Sequence, residues 1–127
     1  MKLILIVEDN EKNRKLVRDV LRFKGYATVE TSNAEEGIRL ARERHPDLIL
    51  LDIQLPGIDG IEALSQLRGD PATEGIPVIA VTASAMAHDQ SRIMAAGFDD
   101  YQRKPLDIRE FVAVVRHRIE AGRRAVA

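Results

Sequence analysis

The chain has 127 residues, a formal net charge of −1 and a pI of about 6.3. This length fits one domain that buries roughly two-thirds of its surface on folding. Apolar residues make up 45% and charged residues 31%, with both signs mixed, as in a globular chain. The charge balance gives no basic surface for phosphate backbones or anionic lipids, so we expect no nucleic-acid or membrane partner.

The chain contains no cysteine. Disulfides, thiolate metal sites and cysteine nucleophiles are therefore excluded, and the composition agrees with a reducing compartment. The N-terminal stretch MKLILIVEDN carries only five successive apolar residues before two acids. Such a run is too short for the apolar region of a signal peptide or for a membrane span, which predicts a cytoplasmic protein.

In chain order, short aliphatic or β-branched runs alternate with segments whose apolar residues recur at helical spacing. Residues 3–7 predict the first strand, and residues 27–31 predict a more polar strand at an edge of the sheet. Between them a helix is predicted over residues 11–24, with Gly25 in the left-handed position after its end. Capping-box residues open a second helix, in which Gly37 is expected to cost stability.

Two continuous apolar runs follow, LILL at residues 48–51 and PVIAV at residues 77–81. Such runs are typical of strands that are buried on both faces of a parallel sheet. The remaining predicted elements are a helix that begins after Asp59, a helix over residues 86–96, a short strand over residues 99–102 and a helix over residues 107–119.

The alternation of five strands with five helices predicts one α/β domain. Right-handed crossovers between parallel strands place helices on both faces of the sheet. No linker, repeat or low-complexity segment interrupts the pattern. We expect the domain to span residues 1–122, followed by a short tail at residues 123–127 that is frayed and solvated.

Polar residues stand where the predicted strands end. Glu8 and Asp9 follow the first strand, Asp52 the third and Thr82 the fourth, while Lys104 comes shortly after the fifth. In a doubly wound sheet, ligands bind at the carboxyl ends of the strands. Because the predicted strands are parallel, we expect all five groups on one rim of the sheet.

Three carboxylates on one rim cannot all stay ionised close together without a cation. Oxygen ligands without cysteine or clustered histidine select Mg²⁺ or Mn²⁺, and Mg²⁺ shares its coordination shell readily with phosphate. The set suits phosphoryl transfer, which needs positioning and charge neutralisation. Asp52 is predicted to be the nucleophile, Glu8 and Asp9 to hold the metal, and Lys104 and Thr82 to contact phosphoryl oxygens.

Each of these residues also has an ordinary structural explanation. An acidic pair after a strand is often a helix cap, threonine is common in strands, and a single lysine is usually solvated. An acid directly after a buried apolar run, such as Asp52, is harder to explain in this way. The combination of residue types at the ends of the right strands favours a functional site.

The chain resembles the receiver domain of two-component response regulators over essentially its whole length. The similar segments are LILIVEDN (3–10), PDLILLDIQLPGIDG (46–60), IPVIAVTASAM (76–86) and YQRKP (101–105). Within that family it is most similar to single-domain regulators of the DivK kind. The resemblance implies a flavodoxin-like, CheY-like fold with the strand order 2-1-3-4-5.

The resemblance implies that Asp52 accepts a phosphoryl group from a phosphohistidine on a histidine kinase or a histidine phosphotransfer protein. It implies that Asp9, Asp52 and the backbone carbonyl of Gln54 ligate Mg²⁺, and that Lys104 contacts the phosphoryl group. Many receivers have aspartate where this chain has Glu8, which leaves open whether Glu8 binds the metal directly or through water. The other residues with implied roles are Thr82 and Tyr101 in the switch and Pro105 as a cis-proline.

Phosphorylation adds negative charge and three acceptor oxygens, and it biases an equilibrium that already exists. Thr82 is expected to move toward the phosphate while Tyr101 fills the space that it leaves. The surface that a target protein binds is predicted at residues 84–119. The chain is expected to be a monomer or a weak dimer. Gln54 and Ser84 flank the approach of water and are predicted to tune the lifetime of the phosphate.

Other functions are known for doubly wound α/β domains. An aspartate-nucleophile phosphohydrolase typically has a second aspartate as general acid where this chain has Gln54. An FMN carrier would need a phosphate loop after the first strand, and a P-loop NTPase needs a motif that the sequence lacks. A receiver excised from a hybrid histidine kinase and a phosphorylation-independent binding module stay open. We expect a signalling phosphoacceptor that is not an enzyme beyond its own phosphorylation and slow autodephosphorylation.

Overall fold

The structure, a computed structural model, describes residues 1–55, 57–83 and 87–124. It contains the strands β1 Leu3–Val7, β2 Ala27–Thr31, β3 Leu48–Asp52, β4 Val78–Thr82 and β5 Asp100–Arg103. The helices are α1 Glu11–Phe23, α2 Ala34–Arg44, α3 Gly60–Arg68, α4 Ala87–Ala96 and α5 Ile108–Ala121. The strands form one sheet in the order β2-β1-β3-β4-β5, and every neighbouring pair is parallel. The predicted fold class is confirmed.

Side-chain caps begin four of the helices. Asn10, Asn33, Asp59 and Asp107 each accept a hydrogen bond from the backbone N–H three residues further on. This contact satisfies one of the N–H groups that a helix leaves unpaired at its start. The caps fix where each helix leaves the rim of the sheet, which in turn fixes the loops that carry the polar residues.

The two faces of the sheet carry separate parts of the core. Alternate residues of β1, β3 and β4 pack against α2, α3 and α4 on one face, and the others pack against α1 and α5. All five residues of β3 are buried, as the continuous apolar run predicted. A fully buried aliphatic side chain contributes about 1.5–3 kcal/mol, so this central strand is a rigid base for whatever follows it.

Strand register brings the carboxyl ends to one rim. Asp52 pairs with Val81, and Thr82 pairs with Arg103. Both β3 and β4 therefore extend one residue further than the apolar runs predicted, because ladder pairing continues through a polar residue that hydropathy does not count as strand. Asp52 is the last residue of β3 and lies within the ladder.

The structure adds to one expectation, about Gly37, and contradicts another, about the tail. Gly37 does more than weaken α2: a Cβ at this position would lie 2.8 Å from Cγ2 of Val7, so the glycine allows the helix to approach β1 closely. The tail is bound at its start, since Arg123 Nε and the N–H of Arg124 both donate to Asp99 Oδ1, at 3.2 and 2.8 Å. Residues 125–127, and Met86 at the predicted start of the fourth helix, lie outside the described residues.

Among the residues that the structure describes, no helix combines the length and the apolar character needed to cross a bilayer.

Candidate functional site

Asp52 lies at the centre of the rim, at the end of the strand in the middle of the sheet. Its side chain is only 3% exposed. One carboxylate oxygen, Oδ1, accepts a hydrogen bond from the N–H of Gln54 at 2.9 Å. The other, Oδ2, accepts one from Nζ of Lys104 at 3.1 Å. These partners stabilise the ionised form of the buried carboxylate. Without them, burial would strongly disfavour the charge.

Lys104 connects two carboxylates. Its Nζ lies 2.7 Å from Oε1 of Glu8 as well as 3.1 Å from Oδ2 of Asp52. Its backbone N–H donates to the carbonyl of Thr82 at 2.7 Å, which ties the end of β5 to the end of β4. The following peptide bond, to Pro105, is cis.

Glu8, Asp9 and Asp52 form an acidic cluster whose ligand oxygens all lie within 4.8 Å of one another. Glu8 is 5% exposed and Asp9 is exposed, so the cluster runs from the interior to the solvent. When Glu8 is ionised, its Oε2 is buried without a hydrogen-bond partner. A buried carboxylate oxygen left in this way is costly, and a hard divalent cation would satisfy it. The donor set, oxygen atoms only, fits Mg²⁺ or Mn²⁺.

The cluster shifts the protonation of its members. Burial, reinforced by the Asp52 carboxylate beside it, raises the pKa of Glu8 to about 7, although Lys104 acts in the opposite direction. Burial also acts against the charged form of Asp52, but hydrogen bonds from the protonated Glu8 carboxyl, the Gln54 N–H and Lys104 outweigh it and lower the pKa of Asp52. Burial likewise disfavours the charged form of Lys104, and its hydrogen bonds to the two carboxylates raise its pKa. At neutral pH Asp52 is therefore ionised and Lys104 charged.

The other residues predicted for the site are placed as follows. Thr82 is the last residue of β4 and is buried. Tyr101 in β5 is half-buried and pairs with Ala80, two residues before Thr82 in the neighbouring strand. The Gln54 side chain is exposed next to Asp52. Ser84 lies outside the described residues, as does the beginning of the predicted target surface.

Two of the three histidines lie away from this rim. His45 is exposed in the left-handed position that ends α2, and His117 is exposed on α5. Both agree with the expectation of solvated residues. The side chain of His88 is not among those that the structure describes.

One contact to the cluster was missed at the level of sequence. Arg14, on the first turn of α1, donates from Nη1 to the backbone carbonyl of Glu8 at 2.9 Å. The available signal was a cation near the start of a helix, where the helix dipole disfavours positive charge. The hydrophobic periodicity of α1 gives no reason for it.

Together, the fold and the rim define a class of protein: a doubly wound α/β phosphoacceptor with an ionised carboxylate, an acidic cation-binding cluster and a lysine. The sequence model of the response regulator receiver domain matches residues 4–116. The polar-differentiation response regulators DivK of Brucella ovis and of Brucella anthropi are each 47% identical over 115 residues, which cover 91% of this chain and 94% of theirs.

Solved structures give the same result. A putative response regulator from Chloroflexus aurantiacus superposes with a TM-score of 0.89 at 29% identity, covering 94% of this chain and 98% of that one. The receiver domain of a sensor histidine kinase from Pseudomonas aeruginosa, with a magnesium ion coordinated in the active site cleft, has a TM-score of 0.87 at 32% identity and the same coverage. The chain belongs to the response regulator receiver domain family, the phosphoacceptors of two-component signalling, whose partners are histidine kinases.

Proposed function

We propose that Asp52 is the residue that accepts the phosphoryl group, from a phosphohistidine on a histidine kinase or a histidine phosphotransfer protein. One observation carries the proposal: Asp52 is a buried acid in contact with Lys104 and within 4.8 Å of two further carboxylates. An ion pair alone would explain one carboxylate beside Lys104, but it does not explain three.

The transfer is a substitution at phosphorus. A carboxylate oxygen of Asp52 attacks, an O–P bond forms, and the P–N bond to the imidazole of the donor breaks. The departing imidazole nitrogen takes a proton from solvent, so charge and atoms balance. Because its pKa is lowered, Asp52 is deprotonated before the donor arrives. Lys104 then pairs with a phosphoryl oxygen as a compact cation.

Glu8, Asp9, Asp52 and the backbone carbonyl of Gln54 would hold the metal, Mg²⁺ or Mn²⁺. When bound, the metal supplies positive charge to the phosphoryl oxygens. The fit rests on the oxygen-only donors and on the unpaired buried oxygen of Glu8. The side chain of Glu8 is one methylene longer than that of an aspartate, and this length determines whether Glu8 binds the metal directly or through water.

The switch would run through Thr82 and Tyr101 to the face formed by α4, β5 and α5, where a target protein binds. Support comes from position: Thr82 lies one residue beyond Val81, the ladder partner of Asp52, and Tyr101 is in the adjacent strand. Gln54 and Ser84 are proposed to tune the lifetime of the phosphate. On this proposal the chain is a phosphoacceptor without an external substrate, and cytoplasmic localisation remains a prediction that the lack of cysteine agrees with.

The boundary of the receiver is also part of the proposal. Residues 1–122 contain every helix and strand that the structure describes, but Arg123 and Arg124 are bound to the domain and we include them in it. The shorter tail is then residues 125–127.

Exposure to a small phosphodonor, acetyl phosphate, tests the proposal. With Mg²⁺ the wild-type chain should gain about one hydroxylamine-labile phosphate, and with a chelator it should gain none. Asp52→Asn should gain none. Asp19→Asn is the matched control, because Asp19 is an exposed acid on α1 whose ion pairs, among the described residues, are with Lys15 and Arg18 of the same helix.

Equal labelling of the Asp52→Asn and wild-type chains would refute the assignment. Rapid turnover of free phosphate monoesters over many cycles would instead indicate the phosphohydrolase, which the comparisons do not favour.

A further inference from the structure

We propose that Arg14 is a positioning residue for the acidic pair that holds the metal, and that Glu30 on the edge strand fixes Arg14 in place. The inference rests on the proposed function of Glu8 and Asp9 as metal-binding residues. It assigns a role to an arginine and a glutamate that do not belong to the rim.

The contact is made to the backbone between the two acids. Nη1 of Arg14 donates to the carbonyl of Glu8 at 2.9 Å. This carbonyl belongs to the peptide that joins Glu8 to Asp9. Because the peptide is planar, restraining its carbonyl restrains the Cα atoms of both residues, from which the two side chains leave. A hydrogen bond at this point therefore orients two carboxylates at once.

The other side of Glu8 is held by the sheet. The last ladder pair of β1 and β2 is Val7 with Thr31, and the N–H of Glu8 still donates to the carbonyl of Thr31 at 3.1 Å. After Glu8 the main chain leaves the sheet, and the contact from Arg14 to the Glu8 carbonyl follows. The acidic pair is thus held from β2 on one side and from α1 on the other.

Glu30 holds the guanidinium of Arg14 in turn. Nε of Arg14 lies 3.3 Å from Oε2 of Glu30, and the two side chains are only 22% and 26% exposed. Nη1 of Arg18 lies 2.8 Å from Oε1 of the same glutamate. Arg14 thus donates a hydrogen bond to the Glu8 carbonyl through Nη1, while its Nε side is ion-paired with Glu30 without a hydrogen bond. The broad guanidinium can face both groups, which the compact ammonium of a lysine matches poorly.

Electrostatics alone would not place a cation here. The start of a helix disfavours positive charge, and a fixed cation near an acidic cluster repels an incoming metal ion. If charge were the main effect of Arg14, its removal would tighten metal binding. If orientation is the main effect, its removal weakens metal binding, in the way that loss of an outer contact disturbs the ligands that it orients. The two explanations predict opposite signs.

The experiment compares the dissociation constant of Mg²⁺, measured by calorimetric titration, in the wild type, Arg14→Met and Arg18→Met. Arg18 is the matched control, because it lies one turn further along α1 and binds the same glutamate but does not contact Glu8. Both variants lose one positive charge. We expect about a tenfold weaker affinity in Arg14→Met. Arg18→Met should bind Mg²⁺ as tightly as the wild type or tighter.

Phosphorylation gives a second readout. Labelling of Arg14→Met by acetyl phosphate should need more Mg²⁺ but reach the wild-type level when Mg²⁺ saturates, because Asp52 and Lys104 are unchanged. Arg14→Lys should fall between Arg14→Met and the wild type, since the ammonium reaches one partner but not both.

Equal affinities in Arg14→Met and Arg18→Met, or tighter binding in Arg14→Met, would overturn the inference. If Arg14→Met does not fold, Glu30→Gln is measured in its place. Glu30→Gln should weaken Mg²⁺ binding a few-fold. Unchanged Mg²⁺ binding in this variant would overturn the inference. A wild type that binds no Mg²⁺ and takes up no phosphate would instead overturn the proposed function. A normal wild type with an unaffected Arg14→Met overturns only the role of Arg14.

Discussion

Glu8 controls how the stability of the metal-free protein depends on pH. Its pKa in the folded chain is about 7, above the ordinary value of 4.5, so the folded state holds this proton more tightly than the unfolded state does. The resulting stability is complete below the unfolded pKa and is lost as pH rises through the folded one. We expect the free energy of unfolding to fall by about 2 kcal/mol as the pH rises from 4.5 to about 7.

Glu8→Gln should remove most of that fall and be more stable than the wild type at about pH 8 without metal, because no buried charge forms. Urea unfolding in the presence of a chelator, at a series of pH values, measures the effect. Glu43→Gln, at an exposed position on α2, is the control and should follow the wild type. A flat wild-type profile would show that burial of Glu8 does not control the stability.

Gly60 allows α3 to begin close to the end of β3. A Cβ at this position would lie 2.7 Å from Cα of Ile53 and 3.0 Å from the carbonyl oxygen of Asp52. Because these are backbone atoms, they cannot move aside cheaply. Gly60→Ala should cost about 2 kcal/mol of stability and slow phosphorylation by displacing Asp52. Gly75→Ala, where no atom lies within 4 Å of the added Cβ, is the control for both measurements. Equal behaviour of the two variants would refute the prediction.

Side chains at the rim could be predicted from sequence because a parallel sheet gathers the carboxyl ends of its strands. That rule needs only strand positions, and it placed Asp52, Thr82 and Lys104 at the same edge. It says nothing about backbone contacts. The bond from Arg14 to the carbonyl of Glu8 and the close approach at Gly60 depend on the path of α1 and α3 over the sheet, which local patterns do not specify.

At the scale of elements, Asp99 joins the C-terminal segment to two distant parts of the chain. Its buried carboxylate accepts hydrogen bonds from Arg68 Nη2 and the N–H of Val78 through Oδ2, each at 2.8 Å. Oδ1 accepts from Arg123 and from the N–H of Arg124. One carboxylate therefore ties the end of α3, the start of β4 and the residues after α5 together.

Two truncated chains test this connection. A chain that ends at Gly122 should be less stable than one that ends at Arg124 by about 1–3 kcal/mol, because a buried carboxylate loses charge-assisted partners. Both chains lack residues 125–127, so the difference isolates Arg123 and Arg124. Chemical denaturation measures it. Equal stabilities would show that the contacts with Asp99 contribute nothing measurable.

No local pattern marked this connection. Two arginines followed by three small or β-branched apolar residues after a glycine are typical of a frayed tail, and the partner of Arg123 lies 24 residues earlier in the chain. The strand β5 begins at Asp100, one residue later than predicted. Asp99 still contacts the start of β4, because its N–H donates to the carbonyl of Val78 at 2.9 Å and its carboxylate accepts from the N–H of Val78.

At the scale of the whole molecule, the alternation of strands and helices predicted the α/β class, but alternation cannot determine which strands are neighbours. The order β2-β1-β3-β4-β5 places β3 in the middle, where both of its edges are paired. That order came from the resemblance to receivers and not from periodicity. Under the proposed function this order has a consequence, because Asp52 then lies on a strand that is paired on both edges and buried along its whole length.

Metal binding should stabilise the whole molecule, because the acidic cluster exists only when β1 and β3 are paired. At a free Mg²⁺ concentration of 100 times the dissociation constant, we expect about 2.7 kcal/mol of added stability in the wild type at about pH 8. Asp52→Asn should gain much less, since it loses a ligand. NaCl at equal ionic strength is the control for screening.

The gain should shrink toward about pH 5, where Glu8, with a pKa of about 7, holds its proton against the metal. Without metal, the free energy of unfolding is larger at about pH 5 than at about pH 8, which is opposite to the trend of the gain from Mg²⁺. Saturating Mg²⁺ should therefore make the stability of the wild type less dependent on pH. The cause is common to both: one buried carboxylate must take either a proton or a cation. Urea unfolding with and without Mg²⁺ at the two pH values measures this, and a gain that is independent of pH would show that Glu8 does not face the metal.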